Sequence, residues 1–263
     1  MPTSQPQDEE QQEATSFEVV EAEPGGTRHR GIYLLPNLIT TAALFAGFYA
    51  IVAAMNSDFV AAALAIVVAG VLDGLDGSVA RMTNTQSKFG AEYDSLSDCV
   101  AFGVAPGLVA YSWALTELGK VGWAAAFIYV ACAALRLARF NVQAGSSDQR
   151  YFIGLPSPSG AGLIATMVWL GASRGVDGND IGWLVALATA GAGLLMVSSV
   201  LYPSFKEYRI GRVPMRALLG VIIAFAIIVM DPPLVLLAVG VIYTGSGLVV
   251  QLLRWRRRAS AAA

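Results

Sequence analysis

The sequence predicts an all-α, polytopic membrane helix bundle with about eight transmembrane helices. Of its 263 residues, 56% are hydrophobic and only 14% are charged, a balance too apolar for a soluble domain with a solvated outer face. A helix needs about 20 mostly apolar residues to cross the hydrocarbon core of a bilayer. The segments that approach this length are residues 38–55, 59–81, 99–115, 122–139, 156–173, 181–201, 213–230 and 234–253.

The two ends of the chain differ from these apolar segments. Residues 1–30 contain seven acidic side chains and no long apolar run, so we expect a disordered acidic tail without a signal peptide. Residues 254–263 begin with a cluster of arginines, which predicts a basic cytosolic end that anchors at the membrane interface. Cys99 and Cys132 lie inside apolar segments without the spacing of metal ligands, so they are interpreted as packing residues.

The basic residues are distributed unevenly over the loops between the predicted spans. All of the 17 Lys and Arg residues except Lys120 and Arg174 fall in segments that alternate to one side. Because positively charged loops stay in the cytosol, this bias predicts cytosolic termini and an even number of spans. We therefore expect a multi-pass protein of the cytoplasmic (inner) cell membrane.

Four aspartates stand at the predicted cytosolic ends of the second and third spans. Asp73 and Asp76 are three residues apart and Asp94 and Asp98 are four apart, so each pair shares a helical face. An ionisable group at bilayer depth costs about 2.5–3.5 kcal/mol on insertion scales, so a cluster of such groups indicates a function. The short polar connection at residues 82–89 returns the chain, and we expect the four carboxylates to converge.

Converging carboxylates repel one another unless a cation neutralises them. Carboxylate oxygens are hard ligands that favour hard cations such as Mg²⁺, Mn²⁺ or Ca²⁺, so the four aspartates are candidate ligands of a metal pair.

The neighbours of these aspartates are suited to a ligand that carries phosphate. Gly77 and Ala80 lie on the helical face of Asp73, and Gly90 lies one turn before the third-span acids, where small residues leave room for a ligand. Arg81 adds a positive charge for phosphate oxygens, and Lys88 is a candidate for a second one. The site therefore combines metal ligands with a phosphate-binding surface, and its active face is predicted to be cytosolic.

Two other interpretations of the acids remain open at this point. Acids next to loops are often merely interfacial, although four of them at helical spacing beside matching glycines make this explanation weak. A cation transporter also uses intramembrane acids, but it would place them near the middle of its spans. Here the four aspartates cluster at one membrane surface.

In chain order, these residues form the pattern D-x2-D-G-x2-A-R-x8-G-x3-D-x3-D, which begins at Asp73 and ends at Asp98. This pattern resembles the signature of the CDP-alcohol phosphatidyltransferase family at every fixed position. The resemblance implies a six-helix membrane core, usually dimeric, that transfers the phosphatidyl group of a CDP-linked lipid to an alcohol. We therefore expect this core at residues 31–201, extra transmembrane helices at residues 202–253 and a homodimer.

The resemblance also implies individual roles for the residues of the signature. The expected ligands of two Mg²⁺ or Mn²⁺ ions are Asp73, Asp76, Asp94 and Asp98. Asp98 would also be the general base that accepts the proton of the alcohol. The expected contacts of the CDP moiety within the signature are Asp73, Gly77, Ala80 and Arg81. The only histidine, His29, lies in the tail, so a nucleophile paired with histidine is not available.

Segments outside the signature resemble the serine-using branch of the same family. They are residues 33–51, 135–143 and 152–158. The expected substrates are therefore CDP-diacylglycerol and L-serine, in contact with membrane lipids and without nucleic acid. Glycerol 3-phosphate, inositol phosphate or another alcohol is the alternative acceptor.

The acceptor and the nucleotide each have candidate ligands outside the signature. Arg136 and Arg139 lie at the cytosolic end of the fourth span and suit the carboxylate of serine, because arginine pairs with carboxylates bidentately. Anchoring to anionic lipid head groups is their alternative role. Asn141 is a further candidate contact of the acceptor. Asn37 and Thr40 are candidate nucleotide contacts at the start of the first span, where a helix-start role is the alternative.

Overall fold

The computed structural model describes residues 34–83, 87–143, 151–203 and 215–261, nearly all of them helical. The predicted acidic tail and most of the basic link at residues 206–216 lie outside the described residues. The α-helices are α1 (Leu34–Met55), α2 (Phe59–Thr83), α3 (Lys88–Asp98), α4 (Ala105–Ala110), α5 (Lys120–Gln143), α6 (Ser157–Ser173), α7 (Gly182–Val197), α8 (Met215–Met230) and α9 (Pro232–Ala261).

The third span is a single helical run in which the hydrogen-bond pattern changes four times. Two π-helical segments, Cys99–Val104 and Tyr111–Leu115, flank α4, and the 3₁₀ turn Thr116–Leu118 ends the run. The first π-helical segment begins immediately after Asp98. A π-helical segment inserts an extra residue into a turn and is frequent at functional sites. The helical run begins at Lys88, earlier than the predicted residue 99, because the polar residues before Asp98 continue the same helix.

Six helices within the described residues are long and apolar enough to cross a membrane. These spans are Leu35–Met55, Phe59–Thr83, Phe89–Leu118, Lys120–Val142, Gly178–Val197 and Pro232–Gln251. The other two predicted spans correspond to α6 and α8, which have 17 and 16 residues and are a few residues shorter than a full crossing. The prediction of an all-α, multi-pass membrane bundle is confirmed.

Two short strands were not predicted. Strands β1 (Tyr151–Ile153) and β2 (Leu201–Pro203) pair antiparallel, with Phe152 opposite Tyr202. The predicted span at residues 181–201 is therefore wrong at its end, since α7 stops at Val197 and the chain turns into β2. The turn after β1 requires Gly154, whose φ of 84° is unfavourable for residues with a side chain.

The core is built mainly from small side chains, which allow helices to approach closely in a membrane. Helix α1 packs along α2 and also reaches α3 and α4. At the closest approach, a Cβ atom on Gly47 would lie 2.7 Å from the Cα atom of Ala101. These contacts set the distance between the first helix and the third span, and so the width of the bundle end where α1 begins and α2 ends. We call this end the site end.

Gly47→Ala should destabilise the bundle, because its Cβ would meet backbone that has no rotamer with which to move away. Overpacking of this kind costs about 1–3 kcal/mol. We expect a lower melting temperature of the purified protein in detergent. Gly191→Ala in α7 is the matched control, since a Cβ there meets no atom within 4 Å. A Gly47→Ala protein as stable as the Gly191→Ala protein would contradict the close approach.

Candidate active site

The end of α2 and the beginning of the third span bring the four aspartates together at the site end. Asp73, Asp76 and Asp94 each place one carboxylate oxygen within 4.8 Å of the others. The carboxyl group of Asp98 interacts electrostatically with those of the other three aspartates. Helical spacing explains this arrangement within each pair, and the packing of both α2 and α3 against α1 brings the two pairs together.

Helix α1 fixes the orientation of one of these carboxylates. The hydroxyl of Thr40 lies 2.8 Å from Oδ2 of Asp76 and 3.1 Å from the carbonyl oxygen of Pro36, and both groups accept from it. Ser97 of α3 donates to the carbonyl oxygen of Thr40 at 3.2 Å. Because Thr40, Asp76 and Ser97 are buried, these bonds tie three helices together directly beneath the cluster.

The donor set of the cluster fits a divalent metal ion. All donors are carboxylate oxygens, they lie close enough to share a ligand, and they are partly or fully withdrawn from solvent. Each carboxylate also interacts electrostatically with others of the cluster, and like charges at this distance repel. A bound cation removes that repulsion, so these residues fit a hard metal ion.

A cleft of about 230 Å³ adjoins the cluster between α1, α2 and the start of α3. It is lined by Pro36, Asn37, Thr40, Asp76, Gly77, Ala80, Arg81, Ser87, Gly90, Ala91 and Asp94. Two of its glycines keep it open: a Cβ on Gly90 would lie 3.3 Å from Oδ1 of Asn37, and one on Gly77 would lie 3.4 Å from Nη1 of Arg81. The structure therefore gathers the predicted nucleotide contacts around one cleft, except Asp73, which does not line it.

The guanidinium of Arg81 stands exposed at the mouth of this cleft. Its Nη2 donates to Oγ of Ser78 at 3.3 Å, and the group also interacts electrostatically with Asp76. Among the described residues, this position leaves most of its N–H donors available to an anionic ligand. The side chain of Lys88 lies outside the described residues.

On the other side of the aspartates, Arg136 of α5 is 8% exposed. Its Nη1 donates to Oγ of Ser157 at 2.7 Å, and the guanidinium interacts electrostatically with Asp98. Its Nε is buried and has no hydrogen-bond partner among the described residues. A buried donor of a charged group is costly to leave unpaired, so this atom is a candidate contact for an anion.

The other two residues predicted to contact the acceptor, Arg139 and Asn141, form hydrogen bonds within the protein. Arg139 donates through Nη1 to the carbonyl oxygen of Val197 at 3.1 Å and through Nη2 to that of Ile153 at 2.8 Å. It therefore joins the end of α7 to β1, and its contact with the acceptor stays a prediction. Asn141 exchanges hydrogen bonds with Ser95, which lies between two of the aspartates in α3.

Several supporting residues were not predicted. Ser97 and Ser95 lie within the signature, but a serine in a helix gives no sign of its partner until the neighbouring helices are placed. Ser157 follows Pro156 at the start of α6, and its hydroxyl contacts Arg136 across 21 positions of sequence. Only the proximity of these residues to the signature and to the segment at 152–158 could have indicated them.

An apolar helix bundle with a carboxylate cluster beside an arginine-flanked cleft defines a class, the membrane enzymes that act on phosphate esters with divalent metal. Within that class, the chain belongs to the CDP-alcohol phosphatidyltransferase family, which matches residues 33–201. The resemblance found in the signature is confirmed. Membership also decides against a cation transporter, since the acids are part of a signature for phosphotransfer.

Relatives from three bacteria agree with this placement. The chain is 40% identical over 229 residues to the CDP-diacylglycerol–serine O-phosphatidyltransferase of Helicobacter pylori. The match covers 85% of this chain and 92% of that relative. It is 37% identical over 182 residues to the enzyme of the same name from Mycobacterium tuberculosis. The match covers 67% of this chain and 63% of that relative. The Bacillus subtilis enzyme of that name is 37% identical to this chain over 174 residues. The match covers 66% of this chain and 92% of that relative.

Thr40→Val should weaken the metal site, because Asp76 would lose the hydroxyl that holds its carboxylate. Removing a partner of a metal ligand typically costs about 10- to 100-fold in metal affinity or activity. We expect a matching rise in the Mn²⁺ concentration that gives half-maximal activity and half-maximal thermal stabilisation. Thr41→Val is the control, since the hydroxyl of Thr41 bonds to Asn37 and Tyr93. Equal metal requirements in the two variants would rule out the role of Thr40.

Proposed function

We propose that the protein transfers the phosphatidyl group of CDP-diacylglycerol to the hydroxyl of L-serine, giving phosphatidylserine and CMP. Family membership supports the reaction type, and the names of three similar enzymes support the two substrates. The observation that carries the proposal is the aspartate cluster with the Arg81 cleft on one side and the buried Arg136 on the other. In this arrangement a diphosphate and an amino acid would meet between these two cationic groups.

The family is generally metal-dependent, and the cluster supplies suitable ligands. We assign two ions, Mg²⁺ or Mn²⁺, to the carboxylates of Asp73, Asp76, Asp94 and Asp98. When bound, such ions neutralise the charge of the diphosphate and of the departing CMP. The protein contributes a fixed arrangement of carboxylates, so no reorganisation is needed when the substrate binds.

The cleft binds the cytidine diphosphate part of the lipid in this proposal. Asn37 and Thr40 offer polar groups from α1, while Gly77 and Ala80 let the nucleotide lie against α2. Arg81 pairs with phosphate oxygens at the mouth, and Asp73 faces the same ligand from the cluster. The acyl chains then remain in the membrane beside the bundle.

Asp98 is assigned as the general base for the acceptor. An alcohol is a weak acid, so its proton must pass to a group within hydrogen-bond reach as its oxygen attacks. The serine oxygen forms a bond to the phosphorus of the phosphatidyl group, and the bond from that phosphorus to the oxygen of CMP breaks. Arg136 holds the serine carboxylate near Asp98, with which it already interacts. Arg139 and Asn141 support this side of the site.

The orientation of the site follows the distribution of basic residues. With Lys120 and Arg174 as the exceptions, the sequence assigns Lys and Arg to the side of the aspartates, which supports a site and termini in the cytosol at the inner membrane. L-Serine is water-soluble, and CDP-diacylglycerol presents a water-soluble head group at the membrane surface. A cytosolic site would therefore be accessible to both substrates.

Purified protein incubated with CDP-diacylglycerol and Mg²⁺ or Mn²⁺ should release CMP when L-serine is added. Glycerol 3-phosphate and inositol phosphate, tested alongside, should give little product. Sealed vesicles with the cytosolic face outward should use added serine, whereas vesicles of the opposite orientation should not. Turnover with one of the other alcohols and none with serine would refute the choice of acceptor.

Asp98→Asn should lower turnover by at least about 100-fold, because an amide cannot accept the proton of serine. The variant should still fold, insert into the membrane and bind CDP-diacylglycerol in a metal-dependent manner. Asp58→Asn is the control, since Asp58 accepts from the N–H of Ala61 at the far end of α2, a role that asparagine also fills. Near-normal CMP release by Asp98→Asn would remove this residue as the base.

A further inference from the structure

A long apolar groove lies between α2, α6 and α9 and has a volume of about 1000 Å³. We call it the α9 groove. Its lining extends along α6 from Pro156 to Thr166 and along α9 from Ser246 to Leu236, ten positions on each helix. At a rise of about 1.5 Å per residue, ten positions correspond to a length of about 15 Å. The hydrocarbon core of a bilayer is about 30 Å thick, so the groove is as deep as one leaflet.

One end of the α9 groove adjoins the candidate active site. Gly70 of α2 lines the groove, and Asp73 follows three residues later on the same helical face. At the beginning of α6, the groove is lined by Pro156 and Pro158, which flank Ser157, the partner of the buried arginine. A lipid whose diphosphate lies at the aspartates would therefore have this groove beside its glycerol backbone.

Contacts along its length hold α9 in place as one wall of the groove, although this helix lies outside residues 33–201. At the far end, an ion pair joins the residue after α6 to the residue before α9. In the middle, a Cβ on Gly240 would lie 3.4 Å from Cδ1 of Leu163. At the site end, the hydroxyl of Tyr202 donates to the carbonyl oxygen of Thr244 at 3.3 Å. The three walls are thus fixed relative to one another.

The lining of the α9 groove offers few polar groups to an occupant. The hydroxyl of Thr166 donates to the carbonyl oxygen of Gly162 at 2.7 Å, and that of Ser246 donates to the carbonyl oxygen of Tyr243 at 2.7 Å. Both hydroxyls are therefore engaged by their own helices. Most of the other lining side chains are apolar, including the buried ring of Phe102 from the third span. An apolar chain suits this surface, whereas a polar ligand would lose its hydrogen bonds to water there.

We propose that the α9 groove holds one acyl chain of CDP-diacylglycerol and thereby sets the chain length that the enzyme prefers. The glycerol backbone lies at the site end of the groove, and the chain extends along α9 toward Leu236. The second chain stays in the surrounding lipid. This inference rests on the proposed function for its lipid substrate, and it gives one of the chains beside the bundle a defined place.

A photoreactive substrate tests the occupant directly. CDP-diacylglycerol with a diazirine in the middle of one acyl chain is bound to the wild-type protein with Mn²⁺ and without serine, irradiated and mapped by mass spectrometry. We expect crosslinks to the parts of α6 and α9 around Gly162 and Gly240, which line the groove. Excess unlabelled CDP-diacylglycerol should abolish them, whereas phosphatidylglycerol should not.

Other occupants would give different crosslinks. Equal competition by phosphatidylglycerol would show that the groove holds bulk lipid, and crosslinks confined to other helices would show that a second copy of the chain or another segment covers it. Either result would overturn the inference.

Gly162→Leu tests whether the groove sets chain length. Gly162 lines the groove, and among the described residues a Cβ there meets no atom within 4 Å, so a leucine has room and shortens the space for the chain. We expect kcat/KM for substrates with long acyl chains to fall by about three- to tenfold, and that for short-chain substrates to fall less. The loss is small because a displaced chain returns to lipid and not to water.

Gly191→Leu in α7 is the matched control, since a Cβ on Gly191 also meets no described atom within 4 Å but this glycine does not line the groove. It should retain the chain-length profile of the wild-type protein. A melting temperature of Gly162→Leu equal to that of the control would show that the bundle is intact. The same profile in both variants would contradict a role of the groove in chain length.

The two experiments separate this inference from the proposed function. Wild-type protein that binds the photoreactive lipid in the groove but transfers its phosphatidyl group to another alcohol would refute serine as the acceptor and leave the inference standing. Protein that uses serine but shows neither the crosslinks in the groove nor the altered profile in Gly162→Leu would overturn the inference alone. Protein that does not bind CDP-diacylglycerol would overturn both.

Discussion

The mutual repulsion of four carboxylates held together at a membrane surface is the constraint on which this structure depends. In isolation the acids would separate or move toward water, so the surrounding helices must hold them in place. Buried hydrogen bonds through Thr40 and Ser97 do so from α1 and α3, and the close approach of Gly47 to Ala101 fixes the spacing. The bundle thus holds together a carboxylate cluster that a bound cation would stabilise.

The membrane environment explains the abundance of small residues in the core. Apolar side chains gain little from leaving lipid for protein, so helix association in membranes relies on close contact and on polar links. The buried alanines of α1 and α2 allow that contact, while larger apolar side chains such as Phe45 and Leu75 face outward. Rigidity at the site therefore comes from steric fit between backbones more than from bulky core residues.

Local patterns were sufficient to predict the helices and the convergence of the aspartates. Spacing of three and four residues places Asp73 with Asp76 and Asp94 with Asp98, and apolar length predicts the spans. The strand pair, the bonds of Arg139 and the contact of Arg136 with Ser157 could not be predicted, because they join segments far apart in sequence. Arg139 and Arg136 look equivalent as an i,i+3 pair, yet the chain beyond residue 150 gives them different partners.

This difference separates the common chemistry of the site from its choice of acceptor. Metal binding and CMP departure depend on α1, α2 and α3, whose residues form the signature and the cleft. The side proposed for the acceptor is formed by α5 and α6, where Arg136 donates to Ser157. Related enzymes can therefore retain one reaction and change the alcohol, because substitutions on the second group of helices leave the carboxylates undisturbed.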